Sequence, residues 1–274
     1  MSILCNARAL RQHIVKVLEQ NSQGESMFPR GIRRSSTTSA VLFLLGRHPC
    51  GARSPFRPCI VLNKRSQRVR QPGDLCFPGG RVAARLDPLL ARLLRLPFLP
   101  LGRWPHRVPW HRQRPQESRR LELLLATSLR ESLEEMRLNP LGIQFLGPLP
   151  SESLVMFHRI LYPMVGWICR QRHFFPNWEV EKIIHVPLED LLQPKNYACY
   201  RIHFEGRKGD GGEGITQDFP CFLHQREKGR EVLWGVTYRI VMVFLKTVFA
   251  FTPPDLESLP VVHGTLGKNY YNGT

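Results

Sequence analysis

The positions of the apolar residues predict a buried sheet flanked by helices. Short apolar runs bounded by turn formers are typical of strands covered on both faces, and such runs occur at 40–45 and 60–62. Further strands are predicted at 145–149, 160–168 and 181–186. Helical spacing predicts helices over about 1–20, 118–137 and 236–251, with shorter ones starting at Pro88 and covering 188–192. This alternation favours one sheet-centred domain.

We expect that domain to span residues 39–252, because 274 residues with 42% hydrophobic content can bury one sizeable core. A helix and a linker precede it at 1–38, where 21–39 is rich in Ser, Gly, Pro and Arg. The tail, 253–274, is expected to be poorly ordered.

An insertion at 81–121 interrupts the domain and contains ten arginines, two acids and two tryptophans. Beyond its first short helix, the prolines between Pro97 and Pro115 argue against regular structure. Four roles remain open for it: a solvated basic excursion, a cap over an anionic substrate, a dimer contact through Trp104 and Trp110, or contact with an acidic membrane surface.

The formal charge of +17 favours polyanionic partners such as nucleotides and phosphorylated cofactors; nucleic acid is less favoured, although the charge permits it. The seven cysteines lack zinc-type spacing, which favours a reducing compartment. The apolar run Val236–Phe251 contains Arg239 and Lys246 and is shorter than the roughly 20 residues of a spanning helix. We therefore expect a soluble cytoplasmic protein without a stable membrane span.

Three glutamates share one face of the predicted helix over 118–137. At about 100° per residue, Leu121, Leu125, Leu129, Leu133 and Met136 form an apolar stripe, whereas Glu131, Glu134 and Glu135 lie on the opposite face. Like charges this close repel each other, and a divalent cation would reverse that effect. A Glu-rich helix face is also common without any ligand, so the cluster alone leaves both interpretations open.

A second segment, Phe77–Gly80, favours the metal-binding interpretation of the glutamates. Paired glycines let the backbone approach a ligand closely and expose its amides and carbonyls. Considered alone, the tetrapeptide is only a turn.

Together these segments resemble the Nudix hydrolases, whose box reads G-x5-E-x7-R-E-U-x-E-E-x-G-U with U aliphatic. Arg130–Leu138 matches its second half, with Ser132 in an aliphatic slot and Arg137 in place of the glycine. Gly80 would be the opening glycine. Glu122 stands at the box distance before Arg130, but about forty residues separate it from Gly80, and its helical projection falls on the apolar side.

A narrower resemblance is to the coenzyme A diphosphatase branch, with its signature L-L-T-x-R-S-x3-R-x3-G-x3-F-P-G-G. The chain has the corresponding residues between Val61 and Gly80, with Asn63 in place of threonine and one residue fewer between Arg70 and Gly73. The resemblance covers about 40–249. It implies an α+β fold, the Nudix α/β/α sandwich with a mixed sheet.

The resemblance also implies a function: hydrolysis of a phosphoanhydride bond in a small nucleoside diphosphate derivative, with coenzyme A or an acyl-CoA favoured. Mg²⁺ or Mn²⁺ would be held by Glu131, Glu134, Glu135 and the Gly80 carbonyl, with Arg130 orienting a glutamate. Substrate would be bound by Arg65, Arg68, Arg70 and Gly79. The alternatives are another dinucleotide substrate, such as NADH or ADP-ribose, and a catalytically weak module that binds nucleotides or nucleic acid.

Overall fold

The computed structural model describes residues 2–22, 27–28, 38–49, 56–154, 159–205, 215–226, 229–267 and 270. Most of the predicted linker lies outside these ranges. The helices of the described part are α1 Ala7–Ser22, α2 Asp87–Leu93, α3 Arg107–Gln113, α4 Pro115–Met136, α5 Leu188–Leu191 and α6 Gly235–Phe249. None of the described helices is both long and apolar enough to cross a bilayer.

The main sheet has eight strands: β1 Thr38–Arg47, β2 Pro58–Arg65, β3 Leu75–Cys76, β4 Gly79–Arg81, β5 Ile143–Pro148, β6 Glu152–Leu154, β7 Arg159–Ile168 and β8 Val180–Pro187. Its central order is β3-β2-β1-β7-β5, and β4, β6 and β8 pair with β1, β7 and β2. Strand β1 runs parallel to β7 and antiparallel to β2. The sheet is therefore mixed, as predicted.

Alternate residues of β1 point into two separate cores. Val41, Phe43 and Leu45 pack with the buried residues of α1 and α6. On the opposite side, Ala40, Leu42 and Leu44 pack with the buried residues of α4 and of the insertion. Because both faces of this strand are covered, every position from Thr38 to Gly46 is buried. This arrangement is the predicted α/β/α sandwich.

The insertion is more regular than its prolines predicted. Helix α3 forms inside the stretch expected to be irregular, because Pro109 stands in its first turn, where a missing amide proton costs no helical hydrogen bond. Trp104 and Trp110 are buried, and Trp104 lies 5.1 Å from Phe145 between ring centroids. Of the roles left open for the insertion, the dimer contact through these two side chains is disfavoured, because both pack into the core of the chain itself.

A second sheet was not predicted. It has the order β11-β10-β9-β12 and consists of β9 Tyr197–Phe204, β10 Ile215–Arg226, β11 Gly229–Leu233 and β12 Val261–Leu266. Strand β12 pairs with β9 in parallel. The expectation of a poorly ordered tail is thus wrong for these residues, because backbone hydrogen bonds to β9 hold them in place.

Candidate active site

Helix α4 carries the predicted glutamates and is held by its apolar face. It begins at Pro115, whose fixed φ suits the first helical position. Leu121, Leu125, Leu129 and Met136 are buried, as the projection predicted. Leu133, assigned to the same stripe, is 41% exposed. It lies at the edge of the stripe, where the sheet no longer covers the helix.

Glu135 is the most enclosed of the three glutamates. It accepts a hydrogen bond of 2.7 Å from Asn63 Nδ2 on β2 and another from the backbone amide of Gly79. Burial, followed by the negative charge of Glu131, raises the pKa of Glu135 to about 8, and the Gly79 hydrogen bond works against that rise. A carboxyl group in this state gains strongly from a cation.

Glu131 faces the same space from the previous turn of α4. Its carboxylate is so close to the Gly80 backbone that a β-carbon there would lie 2.5 Å from Glu131 Cδ. Burial raises the pKa of Glu131, and Arg130 opposes this by charge and by a 2.8 Å hydrogen bond to Oε1. The structure thus brings Gly80 and Glu131, two of the predicted site residues, into contact.

Glu134 takes a different position. Its side chain is 52% exposed, and it accepts a hydrogen bond of 3.0 Å from Arg130 Nη1. The three carboxylates are therefore not equally enclosed: Glu131 and Glu135 are the more buried two, while the exposed Glu134 shares Arg130 with Glu131 and raises the pKa of Glu131 by its charge. Among the described residues, no group of three or more His, Cys, Asp or Glu side chains is arranged to hold a metal ion.

Arg130 is positioned by a residue that sequence reasoning missed. Asp87, fully buried at the start of α2, accepts hydrogen bonds from Arg130 Nε at 2.7 Å and from Thr127 Oγ1 at 2.7 Å. Burial disfavours the charged guanidinium, yet its contacts with Asp87 and Glu131 keep the pKa of Arg130 above its ordinary value. A signal for Asp87 was present in the sequence. The family box has an acid six residues after its glycine, and Asp87 lies seven residues after Gly80.

Glu122 lies outside this group. It is buried and forms an ion pair of 2.6 Å with Arg95, a residue of the insertion. The apolar side predicted by the helical projection is confirmed. Glu122 stands at the box distance before Arg130 in the sequence. In the structure, however, Asp87 and not Glu122 contacts Arg130.

The candidate substrate arginines occupy the end of β2 and the turn after it. Arg65 is half-buried, donates to the Arg70 carbonyl at 2.8 Å and lowers the pKa of Glu135 by its charge. Arg68 and Arg70 are exposed. Of the three, only Arg65 is shown to act electrostatically on the glutamate site.

The paired glycines serve different contacts. Gly79 has φ 156°, and a β-carbon there would lie 2.3 Å from the Ala40 carbonyl oxygen, so β4 pairs with β1 only because this residue lacks a side chain. Gly80 instead makes room for Glu131. These two contacts bring Phe77–Gly80 and the helix to one place.

The donor set fits a hard divalent cation. Glu131 and Glu135 offer oxygens whose negative charge is disfavoured by burial and by neighbouring carboxylates, and a cation would relieve both effects. Nearby, the buried Oδ1 of Asn63 has no hydrogen-bond partner in the described part of the chain. An unsatisfied oxygen beside two such carboxyls is consistent with a site that takes up a hydrated ion or substrate.

Two curated proteins are similar to this chain over most of its length. An uncharacterized Nudix hydrolase NudL from Pectobacterium atrosepticum is 35% identical over 205 residues, which cover 74% of this chain and 78% of the relative. Its counterpart from Citrobacter koseri is 24% identical over 187 residues, covering 68% and 72%. No family model matches the chain.

Solved structures of low identity also overlap with this one. A Nudix hydrolase from Nitrosomonas europaea is 9% identical with a TM-score of 0.37, covering 84% of this chain and 81% of its own. The Nudix domain of Shewanella oneidensis NrtR, complexed with ADP ribose, is 15% identical with a TM-score of 0.36, covering 64% and 86%.

Proposed function

Because this chain belongs to the Nudix hydrolase family, we propose that it hydrolyses the phosphoanhydride bond of a nucleoside diphosphate derivative, using the α4 glutamates and a divalent cation. Coenzyme A or an acyl-CoA is the proposed substrate. The observation that carries the proposal is the meeting of Glu131 and Glu135 with Gly79 and Gly80, two segments far apart in sequence.

In this proposal Glu131, Glu135 and the Gly80 carbonyl hold Mg²⁺ or Mn²⁺, with Glu134 as a further ligand. A bound cation of this kind lowers the pKa of an attacking water and offsets the charge of a diphosphate. Both ions prefer oxygen donors, which is the only donor type among these residues.

The remaining residues position these carboxylates. Asp87 holds the Arg130 guanidinium, which in turn holds Glu131 and Glu134 by hydrogen bonds of 2.8 and 3.0 Å. Asn63 holds Glu135. Fixing the ligands before substrate arrives reduces the reorganisation needed during the reaction.

For the substrate, we propose that Arg65, Arg68 and Arg70 bind phosphate oxygens, since the planar guanidinium pairs with phosphate in bidentate fashion. Gly79 would let the substrate approach the backbone. The extra phosphate of coenzyme A would gain most from exposed Arg68 and Arg70. A lower KM for coenzyme A than for dephospho-coenzyme A, abolished by Arg70→Gln, would support this contact.

The experiment is a hydrolysis assay of the full chain with coenzyme A, acetyl-CoA, NADH and ADP-ribose, each with Mg²⁺ or Mn²⁺. We expect Glu135→Gln and Glu134→Gln to lower kcat by about 100-fold or more, because a lost ligand acts on transition-state charge. Glu117→Gln is the matched control: it removes an acid from the first turn of the same helix, where Glu117 pairs with Arg114.

A Glu135→Gln protein as active as the wild type on the preferred substrate would overturn the site. If the wild type binds a nucleotide by calorimetry but hydrolyses none of the panel with either ion, the chain is instead a binding module. If the enzyme preferred NADH or ADP-ribose, the proposed metal site would be retained and the proposed coenzyme A substrate would be wrong.

A further inference from the structure

The insertion presents an apolar surface that the fold of this chain does not use. Leu86, directly before α2, and Leu89 and Leu93 within it follow helical spacing along one side and are 47%, 55% and 53% exposed. Leu96 and Phe98, directly after the helix, are 40% and 61% exposed. We call these five residues the leucine surface. Contiguous exposed apolar groups of this kind mark an interaction site.

The leucine surface is distinct from the face that holds α2 in place. That second face packs against α4 through Ala91 and Leu94, which are buried. Asp87, also buried, anchors the start of the helix through Arg130. Packing of the helix is therefore provided mainly by these residues, while about half of each outward leucine side chain remains exposed.

Arginines flank the leucine surface along the chain. Arg81, Arg85, Arg92, Arg95, Arg103, Arg112 and Arg119 are exposed. Arg85, Arg92 and Arg112 form no ion pair with any described residue. The only acids of the 81–121 segment are Asp87, which is buried against Arg130, and Glu117, which pairs with Arg114. The segment that carries these leucines therefore has a strong excess of positive charge.

We propose that the leucine surface and its arginines dock this protein onto an anionic lipid bilayer. Leucine and phenylalanine beside arginine suit a helix that lies in the plane of the membrane, with its apolar side in the headgroup region and its cations at lipid phosphates. Nucleic acid would use the arginines but would leave five large apolar side chains in water. Docking here would place α4, which α2 contacts through Asp87 and Arg130, close to the bilayer.

The test is cosedimentation of the full chain with vesicles, without any substrate, so that its outcome is independent of the proposed hydrolysis. We expect binding to mixed phosphatidylcholine and phosphatidylserine vesicles and much weaker binding to phosphatidylcholine alone. Leu89→Gln with Leu93→Gln should reduce partitioning by about tenfold or more. Arg85→Gln with Arg92→Gln should reduce it by about fivefold per arginine, and added salt should weaken it.

Ile215→Gln is the matched control. Ile215 is 71% exposed, but it lies on β10 of the second sheet. We expect unchanged vesicle binding for this variant, and thermal unfolding should show that all variants remain folded. Equal binding by the double leucine variant and the wild type would overturn the proposal. So would a wild-type protein that ignores anionic vesicles, a dimer that the leucine substitutions dissociate, or leucine-dependent binding to RNA in place of lipid.

Discussion

A β-carbon placed on Gly80 would lie 2.5 Å from the Cδ atom of Glu131, so the glycine backbone and the glutamate carboxylate are in direct contact. No larger residue fits between β4 and α4 unless the carboxylate moves. Because the obstructing group is the end of a flexible side chain, such a residue would displace Glu131 and spare the fold.

Gly80→Ala should therefore lower kcat by roughly 100-fold, since a small misplacement of a catalytic group has effects of that size. Thermal unfolding should change little. Gly142→Ala is the control, because no atom lies within 4 Å of a β-carbon built there. Full activity in Gly80→Ala would show that the position of Glu131 does not matter for the reaction.

Two buried acids, each paired with an arginine, allow a comparison between structural and positioning roles. Asp87 holds Arg130, which contacts Glu131 and Glu134, whereas Glu122 holds Arg95 on the insertion. Asp87→Asn should cost about 3 kcal/mol of stability, because it removes the fully buried charge that faces a largely buried guanidinium. It should also lower kcat by at least about tenfold.

Glu122→Gln should leave kcat within about twofold of the wild type, and its cost in stability should be about 1 kcal/mol, because Arg95 is partly exposed to solvent. Urea unfolding and steady-state kinetics on both variants measure the contrast. If kcat fell more in Glu122→Gln than in Asp87→Asn, Asp87 would not be the acid that positions Arg130 for the reaction.

Arg137 stands where the family box has glycine, and the structure gives the reason for that glycine. Arg137 has φ 55°, the left-handed conformation, and ends α4 by donating its amide to the Leu133 carbonyl. A residue with a β-carbon is strained there. Arg137→Gly should raise the free energy of unfolding by about 1 kcal/mol, seen as a higher Tm of a few degrees.

Arg137→Ala serves as the control, because it removes the charge and keeps the strain. We expect its Tm to remain near that of the wild type. If alanine stabilised the protein as much as glycine, the charge of Arg137 and not its backbone would be responsible.

Asp74 should make stability depend on pH. Burial raises the pKa of Asp74 from 3.8 to about 6, although hydrogen bonds from Tyr270 and Trp234 oppose this. The folded protein therefore holds this proton more tightly than the unfolded chain does. Its contribution to stability is present below about pH 4 and is lost as pH rises through about 6.

Asp74→Asn should remove that loss, so the variant should gain stability relative to the wild type between about pH 4 and pH 7, by an amount on the order of 2 kcal/mol. Denaturant unfolding of both proteins at several pH values measures the difference, with Trp234 fluorescence as a local probe. A difference that stays constant over this range would mean that the pKa of Asp74 is not raised.

Parts of this protein follow from the sequence alone. The apolar run of β1 predicts a central strand because both of its faces are buried, and the spacing of Leu121, Leu125 and Leu129 predicts the buried face of α4. The second sheet escaped prediction because its strands are half-exposed and mix polar with apolar positions, as in Tyr197–Phe204. Without a clear period, such strands resemble loops.

The candidate site divides in the same way. Helical periodicity places Glu131, Glu134 and Glu135 on one face of α4, because that geometry is local. Only the tertiary structure buries Glu131 and Glu135 and leaves Glu134 exposed, since Arg130 is held by Asp87 and Glu135 by Asn63. Arg130 and Asp87 are 43 positions apart in the sequence, and Glu135 and Asn63 are 72 apart. Both contacts depend on how the insertion and β2 pack against the helix.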